Sequence, residues 1–316
     1  MTAPLQWKDI LLPAGVVLAI FLAALLLPPL GVLVGIFSPV PLIVISLQRG
    51  RRAGLMATAL VLLALLAAAG GQQALFFLAE YAAMALVMAE TIRLRMPFDK
   101  CILYSVLVSA AASGILLLLV FSGKQVSLTD FLQQQVTAHF EQSLEALKTV
   151  EKDTVDLATM KQLMEKTSRS FAASYPAIIV AGSLLAALAN YSVARWATHR
   201  LYANAGIFTG RFSTWVLPDF FIWIFIVAAG GLFLPQGMAA TLGLNLFVLM
   251  AVIYGLQGMA VVVYFLDKKS VPVFLWFIVF ILIFSQPLVI GILLGLGLFD
   301  LWLDFRKLKV KPAVDG

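Results

Sequence analysis

The stretch TLGLNLFVLMAVIYGLQGMAVVVYFL, residues 241–266, runs for 26 residues without a single charge. As a helix it would extend about 39 Å, more than the roughly 30 Å of hydrocarbon in a bilayer. Only two amides, Asn245 and Gln257, interrupt its apolar character. The rest of the chain follows the same pattern. Of 316 residues, 62% are hydrophobic and 12% are charged, and the mean hydropathy is +1.01. A soluble domain is about half apolar and about a quarter charged. The long apolar runs do not suit the short alternating strands of a β-barrel. Helices, which satisfy their own backbone hydrogen bonds, are what remains for a chain in lipid. The expected fold is all-α: a polytopic helical membrane bundle of about nine or ten membrane helices.

Spans are expected at roughly 10–28, 31–48, 53–70, 73–92, 101–121, 171–193, 215–234, 241–266 and 272–303. The first is long for a signal-peptide core and is followed by Pro28-Pro29 without a small-x-small cleavage pattern, so it reads as a retained span. Fifteen of the 22 basic residues lie in the connections 49–52, 93–100, 195–211 and 267–270 and in the tail from Arg306. The turns near 28–31, 70–73 and 234–241 have none. That alternation places the basic connections, and with them both termini, on the cytoplasmic side. A cytoplasmic tail conflicts with one straight helix over 272–303. A break at Ser285-Gln286-Pro287 resolves the conflict, since a mid-helix proline removes a backbone hydrogen bond. The two halves would then form a tight or partly re-entrant hairpin, with nine straight spans as the alternative.

The chain thus divides into membrane helices over 1–121, a polar segment over 122–170, further membrane helices over 171–305 and a tail over 306–316. Within the polar segment, Leu132, Val136, Phe140, Leu144 and Leu147, then Leu157, Met160 and Met164, recur at helical spacing around a break near Lys152-Asp153. An extracytoplasmic amphipathic helical hairpin follows, acting as a packed cap, a dimerisation arm or a gating lid.

Chemistry inside the bilayer is expected at the few polar positions there. Glu80 lies well within the fourth span and has no basic residue within a helical turn. It reads as a hydrogen-bonded carboxyl facing neighbouring helices, or as a proton-coupling or substrate contact. Glu90 has Arg93 at i+3 and is expected to pair with it. Asn190, Asn245, Gln257 and Gln286 read as buried amides that either line a polar path or hold helices together. The pairs Ala64/Ala68, Gly182/Ala186 and Gly291/Gly295 offer close helix approach. His199 reads as a surface histidine. Walker A, His-Glu-x-x-His and Gly-x-Ser-x-Gly patterns are missing, Cys101 is the sole cysteine, and no His/Cys group has zinc spacing. No enzyme, cofactor or metal role is expected. The net charge of +6 is accounted for by span ends rather than by a nucleic-acid surface.

Two motifs put polar residues among aromatics. Phe212-Ser-Thr-Trp215-Val-Leu-Pro218-Asp219 leads into the seventh span, and Gly297-Leu-Phe-Asp300-Leu-Trp302-Leu-Asp304-Phe-Arg306-Lys307 leaves the last. Pro218 fits the first turn of a helix, and Asp219 beside it favours the positive end of the helix dipole. Trp215 and Trp302 fit an interfacial aromatic belt. Asp300 and Asp304 share a helical face and have Arg195, Arg200 or Arg211 as expected partners. The reading is a structural charge cluster or a coupling site.

These motifs and the span layout resemble the DUF2232, or YybS-like, family of bacterial membrane proteins, whose Trp-x-Leu-Pro-acidic and Phe-Asp-x-Trp-x-Asp-Phe-Arg patterns match here residue by residue. The resemblance implies a location in the bacterial cytoplasmic (inner) membrane. That family is distantly similar to the S-components of energy-coupling factor transporters. The similarity implies a binder of a small-molecule solute that depends on separate ATPase and coupling subunits, although S-components have about six spans. The alternative function is a non-transporting scaffold or assembly factor.

Overall fold

The structure, a computed structural model, describes residues 6–27, 31, 34–122, 128–138, 157–202, 205–235 and 237–308. The helices are α1 (Trp7–Leu26), α2 (Pro39–Arg49), α3 (Arg51–Ala68), α4 (Gly71–Arg93), α5 (Phe98–Phe121), α6 (128–138), α7 (Leu157–Ala173), α8 (Tyr175–Tyr202), α9 (Phe221–Gly231), α10 (Met238–Lys268), α11 (Val273–Ser285) and α12 (Pro287–Leu303). Among the described residues the bridge between Pro97 and Thr209 is the one extended pairing. The protein is an all-α multi-pass membrane protein. Six of these helices, α1, α3, α4, α5, α8 and α10, are long and apolar enough to cross a bilayer.

The chain forms two compact units. One comprises Met1–Leu116, Val180–Asp219 and Val252–Gly316, and the other Leu117–Ile179 and Phe220–Ala251. In the first, α1, α2, α3 and α4 pack as an N-terminal bundle. Lipid removes most of the hydrophobic gain from burying a leucine, so small residues and close fit carry this packing. Ala53, Ala57, Val61 and Leu65 repeat every four residues along one face of α3, all of them fully buried. A methyl group on Gly54 would collide with the Ser46 hydroxyl of α2, so that pair sets the approach of α2 and α3. Asp9 near the start of α1 pairs with Arg49 at the end of α2 at 3.2 Å.

The basic connections after α4 and α8 are pinned together in this unit. Thr209 donates its hydroxyl hydrogen to the Met96 carbonyl, and Tyr191 donates to the Thr209 carbonyl at 3.1 Å. The Tyr191 ring meets Phe98 and Phe208 edge-on at 4.9 and 5.3 Å. Gly210 has a φ of +84° and lies against Phe98, where a side chain would be strained.

The break expected at Ser285-Gln286-Pro287 is present. Gln286 is extended, Pro287 begins α12, and the axes of α11 and α12 differ by 102°. The straight 272–303 helix is therefore excluded, although the turn is less acute than a hairpin.

Other expectations need correction. In the span placed at 31–48, Gly31, Val34 and Gly35 are helical and a turn at 36–38 precedes the 11 residues of α2, whereas the span placed at 215–234 is realised as the 11 residues of α9, about 16 Å long. In the second case residues 215–220 are non-helical, because their backbone serves the polar cluster described below. The small-residue pairs are also misassigned. A methyl group on Gly182, Gly291 or Gly295 would meet no atom within 4 Å, and Ala68 is exposed. Close approach occurs instead at Gly258 of α10 and Gly297 of α12. A methyl on either would overlap the facing backbone, at the Leu293 and Tyr254 carbonyls respectively. In the second unit Gly231 of α9 and Gly243 of α10 touch similarly, with 2.8 Å between a built Cβ and the opposing Cα. Four-residue spacing identifies one face of a helix but does not say which face meets a neighbour.

Of the polar segment over 122–170, helix 128–138 and most of α7 are described, whereas Phe140, Leu144, Leu147 and the break near Lys152-Asp153 lie outside the described residues. On α7, Met164, Ser168 and Ala172 form a buried stripe at four-residue spacing, the pattern of an amphipathic helix.

Candidate functional site

The two aromatic motifs meet in the first unit. α12 ends at Leu303, and Asp304 takes up a left-handed conformation (φ 41°, ψ 55°) that turns the chain back. Aspartate tolerates that region better than most residues. Its carboxylate accepts the Leu308 backbone N–H at 2.9 Å, which holds the reversal. Arg306 is thereby returned to α12, where it donates to Asp300 Oδ2 at 2.7 Å. Its other terminal nitrogen donates to the carbonyls of Ser213 and Trp215, both at 2.8 Å. The pair is buried, with side-chain exposures of 0% for Arg306 and 3% for Asp300.

Gln257, from the middle of α10, completes the cluster. Its amide N–H donates to the same Asp300 Oδ2 at 2.9 Å, and its Oε1 accepts the Leu217 N–H at 3.2 Å. The backbone of residues 215–218 is non-helical: the Trp215 N–H closes the preceding turn on the Phe212 carbonyl, while Arg306 and Gln257 satisfy the Trp215 carbonyl and the Leu217 N–H. The pairing of Asp300 with Arg195, Arg200 or Arg211 is therefore corrected: its partner is Arg306, six residues along the same segment. Pro218 and Asp219 are corrected as well. Both precede α9, whose N-cap is Phe220, so Pro218 is not in its first turn. Asp219 is exposed and close enough to Tyr254 to act on it electrostatically. Trp215 stacks on Phe212, with ring centroids 6.4 Å apart, while Trp302 is 60% exposed, as an interfacial belt residue would be.

Glu80 occupies a different setting. Residues Leu78–Ala82 form a π-helical turn within α4. Such turns widen a helix locally and recur at functional positions. Ser113 of α5 donates to the Glu80 carboxylate at 2.5 Å, and Ser109 donates to the Glu80 backbone carbonyl at 3.3 Å. The expected hydrogen-bonded carboxyl is thus present, with serine partners that the reading of the sequence overlooked. Ser105, Ser109 and Ser113, every four residues along α5 and all buried, were the available signal. The Glu90–Arg93 pair forms as expected, at 3.5 Å.

The amides divide three ways. Asn190 is fully buried and donates to the Ile36 and Ala186 carbonyls, each at 2.8 Å, which ties α8 to the segment before α2. Asn245 bridges the junction of α7 and α8: it donates to the Ala173 carbonyl at 2.8 Å and accepts the Ala177 N–H at 3.0 Å. Gln286 is exposed rather than buried, because it lies in the break between α11 and α12.

Glu80, Asn190, Asn245, Gln257, Asp300 and Arg306 do not line a cleft of about 1080 Å³ in the first unit, whose wall does include Phe212 and Ser213 of the first motif. Its wall combines apolar side chains of α8, α10 and α11 with Arg195, His199 and Arg211. Arg195 donates to the Gly210 carbonyl. Among the described residues no group of His, Cys, Asp and Glu could hold a metal ion.

No curated protein and no solved structure matches the chain. The family model described as "Predicted membrane protein (DUF2232)" matches residues 15–301, a range that takes in the first aromatic motif and Asp300. The chain belongs to the DUF2232 family of membrane proteins.

Proposed function

We propose that this protein is a transport-related membrane component, without enzymatic activity, that binds a small solute in the cleft beside α8, α10 and α11. The single observation behind this reading is the cleft itself. About 1080 Å³ is at the upper end of ligand-pocket volumes, and a mostly apolar wall with a few polar groups is typical of a small-molecule site. The role of binder also agrees with the resemblance to S-components, and energy would then come from ATPase and coupling subunits on other chains. In this reading the basic connections and both termini face the cytoplasm of a bacterium. Cysteines placed near residues 270 and 310, in a chain lacking Cys101, should be labelled from the same side. Labelling from opposite sides would overturn that topology.

The test of binding is purification followed by mass spectrometry of extracted small molecules. Leu188→Trp and Met259→Trp, which fill the cleft, should remove the co-purifying species while leaving the protein folded. A parent protein that retains no molecule under gentle detergent, and whose thermal midpoint is indifferent to solute mixtures, would defeat the proposal.

A second reading, a scaffold or assembly factor, is favoured by a different observation. Gln257 and Glu80, the candidates for a solute path, are engaged by neighbouring helices and lie outside the cleft wall. A stable protein complex recovered by crosslinking, together with an empty cleft, would support it.

A further inference from the structure

The cleft is polar at one end only. Along α8 its wall runs from Leu185 to His199, fourteen residues or about 21 Å. Leu185 and Leu188 lie toward one end, with Arg195 and His199 toward the other. α10 repeats the gradient from Leu256 and Met259 to Asp267. Arg195 gives one donor to the Gly210 carbonyl, and it is close enough to Arg211 for the two guanidiniums to repel. Among the described residues, neither is in an ion pair. Asp267 is the one acidic residue on the wall, so two arginines against one aspartate leave the cleft with a positive excess even when His199 is neutral. Two like charges at the mouth of an apolar trough are destabilising alone and become favourable with an anion between them. A sugar or a small polar solute would leave the apolar length unfilled. A neutral hydrocarbon would leave the guanidiniums uncompensated.

We propose that the cleft holds an anionic amphiphile, with a phosphate headgroup held by Arg195 and Arg211 and its hydrocarbon chain lying along the apolar faces of α8 and α10. The assignment names the ligand class for the cleft and rests on the solute-binding reading above. The phosphate chemistry is shared by a phospholipid and by free phosphate, and the apolar length argues for the lipid.

Trp196 and Trp276, both in the cleft wall, supply the probe. The full chain is reconstituted in phosphatidylcholine nanodiscs containing a small fraction of dibrominated phosphatidylglycerol or dibrominated phosphatidylcholine. Quenching is assigned by comparison with Trp196→Phe and Trp276→Phe. The anionic lipid should quench these two tryptophans at a lower mole fraction than the zwitterionic one. Arg211→Gln, at a side chain with no hydrogen bond among the described residues, should reduce that preference about fivefold, and Arg211→Lys should restore much of it. Inorganic phosphate in the millimolar range should not reverse the quenching. Equal quenching by both lipids, unchanged in Arg211→Gln, would overturn the headgroup assignment and leave the cleft as a solute site. Reversal by inorganic phosphate alone would overturn the hydrocarbon part. If neither lipid quenches while a co-purified solute is still lost in Leu188→Trp, the amphiphile falls and the binding cleft survives.

Discussion

Arg306 and Arg195 both donate to backbone carbonyls in the same compact unit, yet they are held in opposite ways. Arg306 is withdrawn from the surroundings, pairs with Asp300 and binds two carbonyls of the other aromatic motif. Arg195 has one carbonyl partner, faces a cleft and is near a second arginine. The first arrangement closes two segments of chain upon each other. The second leaves positive charge directed at a space. Even the closed site is incompletely satisfied, since Asp300 Oδ1 and Arg306 Nε have no hydrogen-bond partner among the described residues. A cluster of that kind is expensive to break from one side only.

The largest effect is therefore expected for Asp300→Ala, which strands the buried guanidinium and should cost about 3–5 kcal/mol in equilibrium unfolding in mixed micelles. Asp300→Leu combined with Arg306→Met should recover most of that loss. An unfolding midpoint unchanged in Asp300→Ala would show that the pair does not close the motifs. Next comes Gly258→Leu, which forces α10 away from α12 behind the same cluster and should cost about 1–3 kcal/mol. Gly291→Leu, at a glycine with open space around it, is its control. Asn245→Leu tests a clamp within the second unit and should lower stability by about 1 kcal/mol, the scale of hydrogen bonds between membrane helices. The smallest effect belongs to Arg211→Gln, whose unfolding should stay within about 0.5 kcal/mol of the parent. A large loss there would mean that the cleft arginines support the fold after all, and the contrast with Arg306 would collapse.

Much of this architecture is legible in residue order. The uncharged run at 241–266 reads directly as a membrane helix, and Pro287 marks the break after Ser285 because proline cannot donate the hydrogen bond that would continue the turn. Glu90 and Arg93 pair because i,i+3 geometry is local. The two aromatic motifs are recognisable as special, but their union is not. It depends on Asp304 reversing the chain, on residues 215–218 remaining extended and on Gln257 arriving from a third segment. The glycine contacts were missed for a related reason. Gly258 and Gly297 are on different helices, and their match exists only after those helices meet. Arg195 and Arg211 read as orientation signals, since a cleft between helices leaves no trace in either helix alone.

Asn245 occupies a place that a continuous helix would give to its own backbone. In an uninterrupted helix the Ala177 N–H would bond the Ala173 carbonyl. Here one side chain from α10 receives the former and donates to the latter. The joint at Ser174 is thus latched by a third party. Pivoting of α7 about that joint strains the bonds that Asn245 makes on both sides of it, so α10 resists the movement through a single side chain.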